Sequence, residues 1–102
     1  MPQPPHGNSR ESKKEHHLYE IFDKKEETTY KYGISGQPLN EDGSSPRANE
    51  QVSLFNRVVG WFRFIATVLI TGIEGREEAE KLEQKKIDEY TSQNGKAPRG
   101  NP

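Results

Sequence analysis

Glu83 is the first of several polar residues that stand where the local pattern favours an apolar one. At about 100° per residue it falls on the same helical stripe as Ala79 and Ile87. A carboxylate on an apolar stripe loses hydration, which costs free energy unless a cation, a metal ion or a polar cleft compensates. Lys86 lies on the same arc, so a salt bridge is one interpretation. A ligand for a divalent metal ion is the other.

Arg47 and Gln51 form a second polar group, one turn apart in line with the apolar residues Leu54, Phe55 and Val58. Arg47 belongs to the first turn of the predicted helix, where a positive charge opposes the helix dipole. This placement favours a guanidinium group that holds an anion, assisted by the nearby amide groups. The alternative is a solvated arginine whose aliphatic stem covers apolar surface.

Tyr19, Tyr30 and Tyr32 lie on adjacent strands of a predicted hairpin, where cross-strand packing would explain each of them singly. A phenol, a guanidinium group and a carboxylate on separate elements together suit phosphodiester hydrolysis. The carboxylate would hold a divalent cation, and the guanidinium group would neutralise the phosphate. A phenol would orient or deprotonate water.

The composition limits the classes of protein to which this chain can belong. Its 102 residues suffice for one small domain, and every apolar residue except Met1 and Ala97 falls between Leu18 and Tyr90. The 15 Lys and Arg residues nearly balance the 16 Asp and Glu residues, which excludes a strongly basic nucleic-acid wrapper and an acidic solvating tail. The absence of cysteine excludes disulfides, a thiolate zinc site and a cysteine nucleophile.

Zinc binding and membrane insertion are also disfavoured. The histidines at positions 6, 16 and 17 lack a ligand partner at helical spacing. The most apolar run, Trp61–Ile70, is too short to span a membrane and contains Arg63. Prolines near the first residue interrupt any signal-peptide pattern. We therefore expect a soluble protein without a membrane span.

The hydrophobic periodicity predicts an α+β domain in the order β-β-α-β-α, with a small three-stranded antiparallel sheet flanked by helices. The first predicted element is a hairpin of His17–Phe22 and Thr28–Ile34 around the turn Asp23–Glu27. A helix follows, which begins at Ser45 and Pro46 and ends at Gly60. The remaining elements are the strand Phe62–Ile70, the turn Thr71–Gly75, and the helix Arg76–Gln93, which ends at Gly95. Because Phe62–Ile70 is apolar on both faces, it is predicted to be the central strand. Residues 1–15, which are rich in proline, and 96–102 are interpreted as tails or linkers around a domain of residues 16–95.

The order of these residues resembles the GIY-YIG nucleases. That family has a hairpin with a tyrosine on each strand and a glycine ending the second strand, followed by an arginine and a glutamate on later helices. The matching residues here are His17-Leu18-Tyr19, Lys31-Tyr32-Gly33, Ile34-Ser35, Arg47, Glu83 within Glu78–Ile87, and Asn94. The segments YKYGISG, RANEQ, GREEAEKLEQ and NGKAPRGNP are more closely similar to the URI-fold toxin domains of bacterial polymorphic toxins.

The resemblance implies a metal-dependent endonuclease for which DNA is favoured over RNA as the substrate, with the choice between them left open by the sequence. It also implies a toxin effector that is secreted or delivered into a target cell as part of a larger toxin and acts in the cytoplasm of that cell. It implies Mg²⁺ or Mn²⁺ on Glu83, with Arg47 stabilising the pentavalent phosphorane and Gln51 adding a hydrogen bond. Tyr19, with Tyr32, would position or deprotonate water. The implied substrate-binding residues are His17, Lys31, Gly33, Ser35 and Asn94. The implied partners are a nucleic acid and a cognate immunity protein.

The sequence departs from the family pattern at three positions. His17 replaces the first glycine of GIY, Lys31 replaces the first tyrosine of YIG in strict register, and Gln51 stands where a histidine is often found. The general base therefore stays open among Tyr19, Tyr32 and His17.

The alternative function is a non-catalytic nucleic-acid or protein interaction module that retains the fold. The nearly balanced charge favours it, because weak electrostatic attraction limits nonspecific DNA affinity. The two functions differ in whether Glu83 faces the same cleft as Arg47 and Tyr19.

Overall fold

A computed structural model describes residues 14–101. Its elements, in chain order, are β1 (Glu15–Asp23), β2 (Thr28–Ser35), α1 (Pro46–Val59), β3 (Phe64–Glu74) and α2 (Arg76–Asn94). The predicted α+β class and the order β-β-α-β-α are confirmed. Most of the predicted leading tail, residues 1–13, lies outside the described residues. No helix in the described part of the chain is both long and apolar enough to cross a membrane.

The strands form one antiparallel sheet in the order β2-β1-β3, so β1 is the central strand. The prediction that the third strand is central is wrong: β3 pairs with β1 alone among the described strands, and Ile65 and Leu69 on one of its faces are exposed to solvent. β3 also begins later than predicted and continues through the predicted turn to Glu74. Gly72, with φ of 67°, allows this continuation at a point where the pairing with β1 is irregular.

The two helices cover opposite faces of the sheet. Tyr19 and Ile21, which share one face of β1, pack with Ala48 of α1. Leu18, on the other face, packs with Ala79 of α2. The polar residues of α1 and α2 therefore approach the sheet from opposite sides, and they can meet only around an edge of the sheet.

The ends of α1 lie where the sequence predicts them. Ser45 is the N-cap, and its hydroxyl oxygen accepts a hydrogen bond from the Ala48 amide at 3.2 Å. Pro46 is the first helical residue. Gly60, with φ of 84°, ends the helix and donates from its amide to the Asn56 carbonyl at 2.8 Å.

Asp23 is fully buried at the end of β1 and joins three parts of the chain. Its Oδ1 accepts a hydrogen bond from Arg63 Nε at 2.8 Å, and its Oδ2 accepts one from Arg63 Nη2 at 2.7 Å. Oδ1 also accepts hydrogen bonds from the amides of Lys25 and Glu26, which close the hairpin turn. The Arg63 guanidinium group, assisted by Arg99, holds the pKa of the Asp23 carboxyl well below its ordinary value.

Residues 96–101, which belong to a segment predicted to be a tail, pack against β2. The Gly100 amide donates to the Tyr30 carbonyl at 2.7 Å. The Arg99 guanidinium group pairs with Asp23 and lies 5.3 Å from the centroid of the Tyr30 ring. The tail interpretation misses these contacts because composition reflects how a segment behaves alone, whereas this segment is held by a folded neighbour.

Candidate active site

One open cleft at the β2 edge of the sheet collects most of the residues that the sequence singles out. Its volume is about 610 Å³, and its walls come from β1, β2, both helices and residue 101. The predicted catalytic and substrate-binding residues that line it are Tyr19, Lys31, Tyr32, Gly33, Arg47, Gln51 and Glu83. The side chains from the two helices meet here because both reach around the same edge.

Gly33 leaves space for the Tyr19 ring within the cleft. The two residues are direct cross-strand partners in the β1–β2 pair. A Cβ atom at position 33 would lie 2.3 Å from Cζ and 2.4 Å from Oη of Tyr19, so only glycine fits against the ring. Packing therefore explains the glycine, whose absent side chain lets the phenol extend over β2.

We expect Gly33→Ala to displace the Tyr19 ring and to destabilise the fold by about 1–3 kcal/mol, because the added Cβ atom overpacks the contact between the two residues. The urea midpoint measures this loss of stability. Gly43→Asn is the control, since position 43 is open and its φ of 84° suits asparagine. A Gly33→Ala variant with the wild-type urea midpoint would contradict this role of Gly33.

The Tyr19 hydroxyl is held by two residues of α1. Its Oη donates to Gln51 Oε1 at 3.2 Å, and the Arg47 guanidinium group lies beside the same oxygen. Burial raises the pKa of Tyr19 above its ordinary value, and Arg47 and Gln51 offset this only in part. The phenol is therefore protonated at neutral pH, and it can donate and accept hydrogen bonds.

Glu83 enters the cleft from α2 as a half-buried carboxylate. Burial raises the pKa of Glu83 above its ordinary value, and the nearby Lys31 ammonium group partly offsets this. The salt bridge considered from the sequence is not formed, because Lys86 Nζ lies instead 3.9 Å from Glu89 Oε2. The side chain therefore faces the polar cleft without an ion pair among the described residues.

The cleft offers a divalent cation a small set of oxygen ligands. Within residues 14–101, no three His, Asp or Glu side chains gather into a complete metal centre. Glu77 and Glu80 line the same cleft as Glu83, but Glu80 Oε1 accepts a hydrogen bond from Arg76 Nε at 2.9 Å. Proteins commonly hold Mg²⁺ through one or two carboxylates, with water and substrate phosphate oxygens completing the shell. Glu83 could supply one such carboxylate to an ion whose other ligands are water or phosphate oxygens.

Three residues implied by the resemblance lie away from the cleft. His17 is buried, and its Nε2 lies 2.7 Å from Oγ of Ser45, the N-cap of α1. Ser35 is buried at the end of β2, where its hydroxyl accepts a backbone hydrogen bond. Asn94 is exposed at the end of α2, and its side-chain amide donates to the Tyr90 carbonyl at 2.9 Å. Hydrogen bonds outside the cleft account for all three, and His17 is not placed to act as a base in this cleft.

A bulge separates the two tyrosines of β2. The β1–β2 register shifts after Ile21, which leaves Tyr30 as the extra residue. Tyr30 packs on the α1 side, with its ring centroid 5.4 Å from that of Phe55. Tyr32 packs on the α2 side, where its hydroxyl lies next to Thr29. Tyr32 therefore borders the cleft from the α2 face of the sheet, whereas Tyr19 lies on the α1 face.

A model of the family described as URI fold toxin 2 matches residues 9–95, which include all five helices and strands. The chain belongs to the URI fold toxin 2 family. This confirms the resemblance to URI-fold toxin domains. No curated protein and no solved structure matches the chain.

The URI fold toxin 2 match ends before one residue of the cleft, Asn101. Asn101, Arg76 and Lys81 line the cleft but were not selected from the sequence. Nothing in the sequence distinguishes Arg76 and Lys81 from the other charges of α2. Asn101 lies in NGKAPRGNP, one of the segments that resemble the URI-fold toxin domains, but this segment is rich in proline and glycine and has no periodicity to indicate which of its residues reaches a site.

Proposed function

We propose that this URI fold toxin 2 domain is a metal-dependent endonuclease of the GIY-YIG type that hydrolyses phosphodiester bonds in DNA. The observation that carries the proposal is that Tyr19, Arg47 and Glu83, from three separate elements, line one cleft. The raised pKa values of Tyr19 and Glu83 in this cleft also suit a functional site. A purely structural role would not require a phenol, a cation and a half-buried carboxylate to converge at a sheet edge.

Arg47 and Gln51 form the phosphate-binding side of the proposed site. A guanidinium group can bind two phosphate oxygens at once. Arg47 would offset the charge that develops as the phosphorus becomes five-coordinate, and Gln51 would add a hydrogen bond. Lys31, on the β2 wall of the cleft, would contact a further phosphate.

Tyr19 would orient the attacking water. Its hydroxyl proton points to Gln51 Oε1, so the oxygen lone pairs can accept a hydrogen bond from water. Because the pKa of Tyr19 is raised, orientation is a better role for the neutral phenol than proton abstraction at neutral pH.

Glu83 would hold one Mg²⁺ or Mn²⁺ ion. Such an ion, when bound, supplies Lewis acidity at the scissile phosphate. The carboxylate has to be ionised for this, and the position of Glu83 without an ion pair leaves its oxygens available to a cation.

We expect the rate of DNA cleavage to fall as the pH decreases. The fall should occur at a higher pH than it would for a glutamate with an ordinary pKa. Burial raises the pKa of Glu83, and only the ionised carboxylate binds a cation. Since Lys31 lowers that pKa, the acid limb of Lys31→Ala should move to still higher pH. The measurement is kcat/KM from about pH 4.5 to 8 at subsaturating Mg²⁺, because metal and proton compete for the carboxylate. An acid limb that Lys31→Ala leaves in place would contradict this account.

Family membership favours a toxin that acts on the nucleic acid of a target cell. Within the proposal, the domain acts in the cytoplasm of that cell, and a cognate immunity protein covers the cleft. DNA is the proposed substrate ahead of RNA.

Labelled oligonucleotides test the substrate class. Purified protein is incubated in Mg²⁺ with duplex DNA, single-stranded DNA and RNA of equal length. We expect cleavage of DNA, its loss in EDTA, and a large loss with Arg47→Ala. Cleavage of RNA alone would replace DNA by RNA as the substrate, and binding without cleavage would favour the interaction module.

A further inference from the structure

Residues 98–101, here named the edge segment, form a turn that lies along the outer edge of β2 and hydrogen-bonds to it. The Gly100 amide donates to the Tyr30 carbonyl at 2.7 Å. Asn101 Nδ2 donates to the Tyr32 carbonyl at 2.9 Å, and the Tyr32 amide donates to Asn101 Oδ1 at 2.7 Å. The Asn101 side chain thus makes both hydrogen bonds that a neighbouring strand would make.

The protein core anchors the edge segment. Pro98 is fully buried, and the Arg99 guanidinium group pairs with the buried Asp23. The backbone amide of Asn101 donates to the Pro98 carbonyl at 2.9 Å, and this hydrogen bond closes a turn. The position of Asn101 at the cleft is therefore fixed from within the fold.

Lys31 lies between the two β2 residues that the edge segment binds. A Cβ atom at position 100 would lie 2.6 Å from Lys31 Cβ and 2.8 Å from Tyr30 Cε2, so Gly100 rests directly on the base of the lysine side chain. Lys31 lines the cleft, and its cation is close enough to Glu83 to lower the pKa of that carboxyl. The edge segment therefore confines the backbone and stem of a lysine whose charge acts inside the cleft.

We propose that Asn101 is a positioning residue that, by holding the backbone of Tyr32, directs the Lys31 ammonium group onto a phosphate of bound nucleic acid. The proposal rests on the proposed function and extends it to a segment outside the family match. The Asn101 side chain uses its oxygen and one of its amide hydrogens in the two hydrogen bonds to the Tyr32 backbone. In this role Asn101 acts through Lys31 and needs no contact with the substrate.

The salt dependence of DNA binding tests this role. Binding of a labelled duplex is measured by fluorescence anisotropy in EDTA, which prevents cleavage, from about 50 to 300 mM salt. Lys31→Ala should make the negative slope of log K against log salt less steep by about 0.9, the loss expected for one phosphate contact. Asn101→Ala exchanges one neutral residue for another, yet it should also make the slope less steep, and it should weaken binding by about threefold to tenfold.

A double-mutant cycle and two further variants complete the test. If Asn101 acts through Lys31, Asn101→Ala should have no further effect in the Lys31→Ala background. Gly100→Ala, which removes no hydrogen-bonding group but displaces the edge segment, should reproduce the Asn101→Ala slope. Gln93→Ala removes an exposed amide near the end of α2 and is the control without effect.

The outcomes separate this proposal from the proposed function. Wild-type protein that neither binds nucleic acid in EDTA nor cleaves it in Mg²⁺ would overturn both. Wild-type binding with an unchanged slope in Asn101→Ala and Gly100→Ala, or additive effects with Lys31→Ala, would overturn the positioning role alone. Should Asn101→Ala fail to fold, Gly100→Ala decides the question by the same slope.

Discussion

Replacing Glu83 by glutamine is expected to lower the rate of DNA cleavage by about a thousandfold and to leave the fold intact. Glutamine has nearly the same shape but lacks the charge that holds a divalent cation. Because the Glu83 carboxyl is half-buried and has a raised pKa, removing its charge should not destabilise the domain and could stabilise it slightly. The measurement is the initial rate of DNA cleavage in Mg²⁺, with the urea midpoint recorded for the same samples.

Glu78→Gln is the matched control for this prediction. Glu78 lies on the same helix, is exposed, and pairs with Lys81 at 3.4 Å, but it does not line the cleft. We expect its activity to stay within about twofold of wild type, because an exposed ion pair contributes little. Equal losses for Glu78→Gln and Glu83→Gln would indicate a general charge effect and would contradict the ligand role of Glu83.

Replacing Asp23 by alanine is expected to cause the largest loss of stability, about 3 kcal/mol. Removing one partner of a buried ion pair costs about 3–5 kcal/mol, and the lower end applies because the Arg99 side chain is 41% exposed. The change also removes the acceptor of the two turn amides and frees the edge segment. For a domain of this size, such a loss is a large share of the total stability. Urea unfolding of the variant and wild type measures it.

The pH dependence gives the Asp23 prediction an independent check. The folded-state pKa of Asp23 is depressed, so its contribution is complete above the ordinary aspartate pKa of about 4 and is lost as pH falls below it. The difference in stability between wild type and Asp23→Ala should therefore be constant from about pH 5 to 7 and should shrink towards pH 2. Asp42→Ala, which removes an exposed aspartate, should change the midpoint little. A constant difference down to pH 2 would contradict the ion-pair explanation.

The helix boundaries could be predicted from the sequence because their signals are local. Ser45 and Pro46 begin α1, and Gly60 ends it, by interactions within a few residues. The order of strands could not be predicted in the same way. Phe62–Ile70 is the most apolar run and suggested a central strand, yet it contributes the edge strand β3, because β1 pairs with β2 on one side and with β3 on the other.

The candidate site shows the same division between local and long-range information. Arg47 and Glu83 could be selected because each is a polar residue on an apolar helix face, which is a local signal. The positions of Tyr30 and Tyr32 on opposite faces depend on a bulge that alternation alone does not reveal. Asn101 is held at the cleft by its hydrogen bonds to Tyr32 and by the contacts of Arg99 and Gly100 with Asp23 and Tyr30, all of which join segments far apart in sequence.

The central claim is that the cleft shared by Tyr19, Arg47 and Glu83 hydrolyses phosphodiester bonds with a divalent cation. Nicking of supercoiled plasmid by the purified domain tests it most directly. The account predicts that open-circular plasmid accumulates in Mg²⁺ or Mn²⁺, that EDTA stops the reaction, and that an excess of Mg²⁺ restores it. Folded wild-type protein that leaves the plasmid intact at every concentration of both metals, or that nicks it equally in EDTA, would contradict the claim.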